Sequence, residues 1–256
     1  MATSVIDLLS NIFLLAFSYA TFWFIVSLIL KRNDIADVAW GLGYVLLCVY
    51  LYFNTERSDL STLVYALVCI WGIRLTVHIG LRNMKKTEDF RYLKWREEWG
   101  KTFYWRSFLQ VYLLQVVILL VISSPVTLVA YFGGEISWVS YIALSFWCIG
   151  FFYQAVADDQ LKQFKKKRQN KDEILQTGLW KYSRHPNYFG ETVMWWSLAV
   201  MVLPINYGGL AFISPVFITF LLLKVSGVPM LEKRYEGNEV FDAYKSQTPA
   251  VFPRFW

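Results

Sequence analysis

A chain of 256 residues in which 56% are apolar and 17% are charged carries too few charges for an ordinary soluble domain, where about a quarter of positions are charged. Taken alone, the formal net charge of +6 would suit a nucleic-acid binder. The charges, however, cluster between long apolar runs, which argues against nucleic acid and for the loops of a multi-span membrane protein, and an aromatic content of 19% suits many membrane-interface anchors.

In chain order, residues 5–30 form the first apolar run. It lacks a basic flank and a small-residue cleavage site and exceeds a signal-peptide core, so it reads as a retained span. Residues 35–53 form the second run, interrupted by Asp37, and residues 60–81 the third, with Arg74 and His78 inside it. A polar, basic segment at 82–106 precedes a fourth run, 107–131, with Pro125 near its far end. After Gly133-Gly134-Glu135 comes a fifth run, 136–157, and then a second basic segment, 158–191. Runs at 190–203 and 209–226 follow, and a mixed tail covers 227–256. A helix needs ~20 apolar residues to cross a membrane. The expectation is therefore an all-α integral membrane protein, a single domain over 1–256 with seven transmembrane helices and polar cytoplasmic loops capping a cofactor pocket.

The distribution of basic residues sets the orientation. With the N-terminus outside and the C-terminus cytoplasmic, the inside segments hold 22 of the 25 Lys and Arg residues, and the outside loops hold only Arg57. Cys48, Cys69 and Cys148 all lie within apolar runs without metal-ligand spacing, so they read as small hydrophobes. With two histidines and no Cys/His cluster, no metal site is expected. Walker, Rossmann and nucleophile-elbow patterns are also missing.

One stretch departs from the apolar character of the rest. Residues 178–191, GLWKYSRHPNYFGE, pack Lys181, Tyr182, Arg184, His185, Asn187, Tyr188 and Glu191 just before an apolar run. Such a set of donors at a membrane boundary suits an anionic, hydrogen-bonding ligand; the plainer alternative is a solvated basic loop. Charges inside spans cost about 2.5–3.5 kcal/mol each and usually face a cavity and a partner. Asp37 is one such group, and a structural ion pair with a neighbouring helix is its plainer reading. Arg74, His78 and Arg82 recur every four residues along one face of the third span, where His78 is either catalytic or a satisfied core histidine. Arg82, Lys85, Lys86, Arg91, Lys94 and Arg96 form one basic surface. Lys162 and Lys165 to Arg168 form another, which lipid headgroups or topology alone would explain.

Several of these motifs carry a family resemblance. Asp37-x-x-Trp40-Gly41, Trp71-Gly72-x-Arg74-Leu75, Glu88-Asp89-x-Arg91-Tyr92, Asp158-Asp159-Gln160-Leu161, Gly178-Leu179-Trp180 and Arg184-His185-Pro186-Asn187-Tyr188-Phe189-Gly190-Glu191 resemble a bacterial uncharacterised-domain family grouped with the steroid 5-alpha-reductases. The resemblance covers nearly the whole chain. It implies an NADPH-dependent enzyme of the bacterial inner membrane. Such an enzyme reduces the C=C bond of a lipophilic α,β-unsaturated carbonyl drawn from the bilayer, with membrane lipids around it and no protein partner.

In the steroid reductases a glutamate in the second span and a tyrosine in the third polarise the carbonyl. Asp37 stands for the glutamate, protonated so that it can donate, and the tyrosine lacks a counterpart near Arg82, for which His78 or Tyr44 would substitute. For the cofactor the resemblance implies Arg82, Arg91, Asp158, Lys165, Arg184, His185, Asn187, Tyr188, Glu191 and Tyr235. The arginines and the lysine would pair phosphates, and the acids and Asn187 would bind ribose or carboxamide groups. A looser form of the Arg-His-Pro block occurs in membrane methyltransferases resembling isoprenylcysteine carboxyl methyltransferases. S-adenosylmethionine-dependent methylation of a lipid or prenylated substrate is therefore the second reading, and a non-enzymatic lipid-binding scaffold the third.

Overall fold

The computed structural model describes residues 4–84, 87–170 and 173–254. Lys85 and Lys86, expected in a basic surface, lie outside them. The chain divides into two compact units, Met1–Glu135 and Ile136–Trp256.

The first unit contains helices α1 (Val5–Leu30), α2 (Ile35–Asn54), α3 (Asp59–Asn83), α4 (Phe90–Trp99), α5 (Phe103–Ser107), α6 (Leu114–Ile122) and α7 (Ser124–Phe132). A π-helical segment, Phe108–Leu113, joins α5 to α6. Helix α1 ends at Lys31, whose left-handed φ of 52° turns the chain straight into α2. Helix α3 starts on a reciprocal cap between Ser58 and Ser61, which satisfies two amide groups that the first turn leaves without partners. Helices α2 and α3 meet at Gly41 and Gly72. A Cβ on Gly41 would lie 2.6 Å from the Gly72 carbonyl oxygen, and one on Gly72 would lie 2.7 Å from that of Gly41. Only glycine permits this approach.

The second unit contains α8 (Trp138–Lys167), α9 (Pro186–Val202), α10 (Ile213–Phe220), α11 (Val228–Glu232) and α12 (Glu239–Gln247). It uses the same device: α8 and α9 touch at Gly150 and Gly190, where a Cβ on Gly190 would stand 2.4 Å from the Gly150 carbonyl oxygen. Helix α9 opens with Pro186, whose missing N–H costs nothing in a first turn.

Six helices among the described residues are long and apolar enough to cross a membrane: Val5–Leu30, Ile35–Asn54, Asp59–Asn83, Phe90–Ile122, Trp138–Lys167 and Gly208–Tyr235. The chain is an integral, multi-pass membrane protein. Two expectations change. The run at 190–203, expected to span, lies in α9, whose 17 residues reach about 25 Å against a hydrocarbon core of about 30 Å. Most of α9 is buried within its unit, including the polar Glu191, Thr192 and Ser197. The run at 107–131 is not one helix. The chain breaks at Ser123, where Pro125 starts a new helix, and the long apolar helix begins earlier, at Phe90.

Candidate active site

In the first unit the polar groups gather where the α1–α2 turn meets the 83–107 segment. Asn33 donates its backbone N–H to Glu88 Oε1 at 2.6 Å and its side-chain amide to Ser107 Oγ at 2.8 Å. Arg32 clasps Asp34 through two hydrogen bonds, 3.0 and 2.8 Å, and reaches the Asn83 carbonyl. Arg96 binds both oxygens of Glu88 at 3.2 Å. These contacts bring α4 up to the first turn of α2.

Asp89 then aims the central pair. As the N-cap of α4 it accepts from the Arg91 backbone N–H at 3.0 Å and from Arg91 Nε at 2.9 Å. Burial alone would raise the Asp89 carboxyl, but the hydrogen bonds and charge of Arg91 outweigh it and hold the group below its ordinary value. Arg91, oriented in this way, donates from Nη2 to Asp37 Oδ2 at 2.6 Å. The other oxygen of Asp37 accepts from the Tyr92 hydroxyl at 2.9 Å. Tyr92 is 3% exposed and sits in an apolar cluster with Ala16, Ala20, Ala36, Val111 and Tyr112.

Beside this cluster lies a cavity of about 20 Å³, lined by Tyr19, Trp23, Trp40, Tyr112 and Gln115 among others. That volume holds one water-sized group. The Trp23 indole N–H and the Tyr112 hydroxyl, both on its wall, are buried without a hydrogen-bond partner among the described residues. Tyr112 lies in the π-helical segment, a distortion common at functional sites.

In the second unit the Gly150–Gly190 contact brings two polar pairs into register along α8 and α9. Gln154 donates to Glu191 Oε2 at 3.0 Å, and Asn187 donates to Asp158 Oδ1 at 3.1 Å. The remaining amide oxygen of Asn187 and the hydroxyl of Tyr153 are buried without a hydrogen-bond partner among the described residues.

The segment before α9 is held by the chain's tail. Gly178 takes a φ of 63°, and a Cβ there would collide with the Gln160 side chain, which accepts from the Leu179 N–H at 3.0 Å. Arg184 and His185 donate their backbone N–H groups to Pro249 and Ala250, both at 2.9 Å. The Tyr244 hydroxyl donates to the Trp180 carbonyl, and burial pushes its phenol above the ordinary value. Glu232 closes the arrangement. It accepts from Arg184 Nε at 2.9 Å and Nη2 at 3.2 Å, lies 3.0 Å from His185 Nε2, and has Lys245 Nζ at 3.8 Å. Arg184 Nη1 turns to the carbonyls of Lys245 and Thr248. Tyr188 stacks on the His185 ring with centroids 5.3 Å apart.

The expected site residues thus separate into groups. Asp37 and Arg91 meet in the first unit. Asp158 and Asn187 meet in the second, as do Arg184, His185 and Tyr188, while Glu191 pairs with Gln154. Tyr44 is fully buried between Trp40 and Trp71, two turns along α2 from Asp37, so it is Tyr92 whose hydroxyl reaches the carboxylate. His78 is half-buried on α3, and Arg82 is exposed at the end of that helix, donating to Asn83. Lys165 is exposed on α8, and Tyr235 stacks on Phe241 at 4.8 Å. Sequence reasoning noted Tyr92 only as a neighbour of Arg91 and missed Glu232 and Tyr153. Two adjacent basic residues, Arg184 and His185, on an otherwise apolar chain were a signal that an acid had to lie nearby.

A family model described as a protein of unknown function, DUF1295, matches residues 23–248. The chain belongs to this family. DUF1295 is a steroid 5-alpha-reductase-like family, compatible with a membrane enzyme. An uncharacterised protein of Schizosaccharomyces pombe is 25% identical over 181 residues, which cover 62% of this chain and 50% of that protein. The chain therefore spans about half the length of this relative. The DUF1295 match takes in both clusters, from Asp37 to Glu232.

Proposed function

We propose that this DUF1295 protein is an NADPH-dependent reductase of the C=C bond in a lipophilic α,β-unsaturated carbonyl compound. The observation that carries the reading is the hydrogen bond of Tyr92 to Asp37, a buried phenol fixed by a carboxylate that is fixed in turn by Arg91. Both oxygens of Asp37 accept, and Tyr92 gives its one hydroxyl proton to Asp37, so donation toward a substrate carbonyl requires the hydroxyl to exchange that hydrogen bond for one to the substrate. A phenol O–H in an apolar surround stabilises negative charge as it develops on a carbonyl oxygen. The small aromatic cavity with the Trp23 N–H and the Tyr112 hydroxyl on its wall suits one hydrogen-bond acceptor the size of a carbonyl oxygen.

Residues of the second unit fit a nicotinamide dinucleotide. The buried Asn187 oxygen and Tyr153 hydroxyl supply one acceptor and one donor, the complement of a carboxamide. Asp158 holds Asn187, Gln154 holds Glu191, and Lys165 is assigned to a phosphate. NADPH, when bound, would supply the hydride that reaches the β-carbon, and a proton from solvent would complete the reduction at the α-carbon. The chain's own part is to bind and orient, to exclude water, and to donate a hydrogen bond to the carbonyl oxygen. On the same reading the chain's basic segments lie on the cytoplasmic side of a bacterial inner membrane.

The test is oxidation of NADPH by the detergent-purified protein with a panel of lipophilic enones, followed by product analysis for the saturated ketone. Turnover that falls about 10²–10³-fold in Tyr92→Phe is the expected result for loss of an oxyanion donor. Turnover unaffected by that substitution would remove Tyr92 from the chemistry. Methylation of a lipid acid from S-adenosylmethionine would replace the reductase reading.

A further inference from the structure

Glu232 does more than neutralise Arg184. Its Oε1 is shared between Arg184 Nε at 2.9 Å and His185 Nε2 at 3.0 Å. A carboxylate paired with a guanidinium only accepts, so the proton in the contact with His185 must sit on Nε2. Neutral imidazole then carries its lone pair on Nδ1. The ring is fixed further by the Tyr188 stack, nearly parallel at 12°, and by the backbone bond from His185 to Ala250. Two residues on, the Asn187 amide oxygen is a buried acceptor without a partner among the described residues. Arg184 itself is turned inward: Nε and Nη2 go to Glu232, and Nη1 goes to the carbonyls of Lys245 and Thr248. A phosphate offers only acceptors and would meet acceptors at His185 and Asn187. A hydroxyl or an amide offers a donor to either acceptor.

We propose that Glu232 is a positioning residue that holds His185 as the Nε2–H tautomer, so that the Arg184–Asn187 segment reads a hydroxyl or amide of the bound dinucleotide and not its phosphates. The identity of the ligand rests on the reductase reading; the state of the ring does not. Only two histidines occur in the chain, so ¹⁵N-histidine labelling gives two ring systems, which a His78→Gln variant assigns.

At mildly alkaline pH, wild-type protein in detergent shows a slowly exchanging Nε2–H for His185. That signal is lost in Glu232→Gln and kept in Glu232→Asp. Titration with NADPH moves the Nδ1 resonance of His185 and leaves that of Nε2 in place. Affinity for NADPH, read from tryptophan emission, falls about tenfold in Glu232→Gln and recovers in Glu232→Asp. A proton on Nδ1 in the wild-type protein overturns the proposal without need of any variant. So does NADPH binding that leaves Nδ1 unmoved. Failure of NADPH to bind wild-type protein sinks the reductase reading and the ligand named here, while the ring assignment is scored separately.

Discussion

Asp37, half-buried, and Glu232, buried, both accept hydrogen bonds from cationic side chains, one in each unit, but they differ in what surrounds them. Glu232 takes Arg184, His185 and Lys245, and Arg184 reaches on to tail carbonyls more than sixty residues away in sequence. The carboxylate is a clasp that ties the start of α9 to the end of the chain. Asp37 takes one arginine and one phenol from the same turn of α4, and its side chain is 17% exposed against 10% for Glu232. A clasp of charges and carbonyls holds structure. A carboxylate that accepts from a neutral hydroxyl holds a contact that the hydroxyl can exchange for another acceptor. Removing Glu232 should therefore cost mainly stability, and altering the Asp37 pair should cost mainly chemistry.

The sharpest break of the comparison is Glu232→Ala. Removing one partner of a buried pair leaves the other charges uncompensated, an effect of about 3–5 kcal/mol. Denaturation in detergent should show that loss, whereas Asp37→Asn should lose clearly less stability while abolishing turnover. Equal losses of stability would erase the distinction drawn here. Next in size are the two glycine crossings. Gly190→Ala and Gly41→Ala each force a Cβ against a facing carbonyl, and overpacking of this kind costs about 1–3 kcal/mol. Both melts should fall, with Gly209→Ala as the control, since a Cβ there meets nothing within 4 Å.

Tyr92→Phe is smaller in stability, about 1 kcal/mol for one lost hydrogen bond, and separates chemistry from folding. The smallest effect is that of Asp89. Its folded-state pKa lies below the ordinary value of 3.8, so its contribution is present at neutral pH and above 3.8. It is lost as the pH falls below 3.8 through the folded value. The stability advantage of wild type over Asp89→Asn should shrink across that acid window and be level above it.

Much of the architecture could be read from composition. Helices α1 to α3 end within about two residues of the expected bounds, because apolar runs of the right length are bounded there by short polar turns. The break at Ser123–Pro125 was visible as a proline but was overruled by the continuous apolar run around it. Composition alone makes α9 a span, because it says nothing of the helix's 17-residue length or its burial within the unit. For the site, a charge inside an apolar run singled out Asp37, since such a group needs a partner. Which partner was not legible: Arg91 is 54 residues away, and Tyr92 lies beyond a loop whose path sequence does not reveal. Glu232 sits in a tail of ordinary polar composition, and its role exists only because the chain end folds back on residues 182–185.

The most direct test of the account is thermal stability of the detergent-purified protein with NADPH, with NADH and with S-adenosylmethionine, each in excess. A ligand that binds only the folded state stabilises it by ~2.7 kcal/mol at a hundredfold excess over its Kd. The account predicts a rise in melting temperature with NADPH that is diminished in Asn187→Ala. A rise with S-adenosylmethionine alone would contradict it.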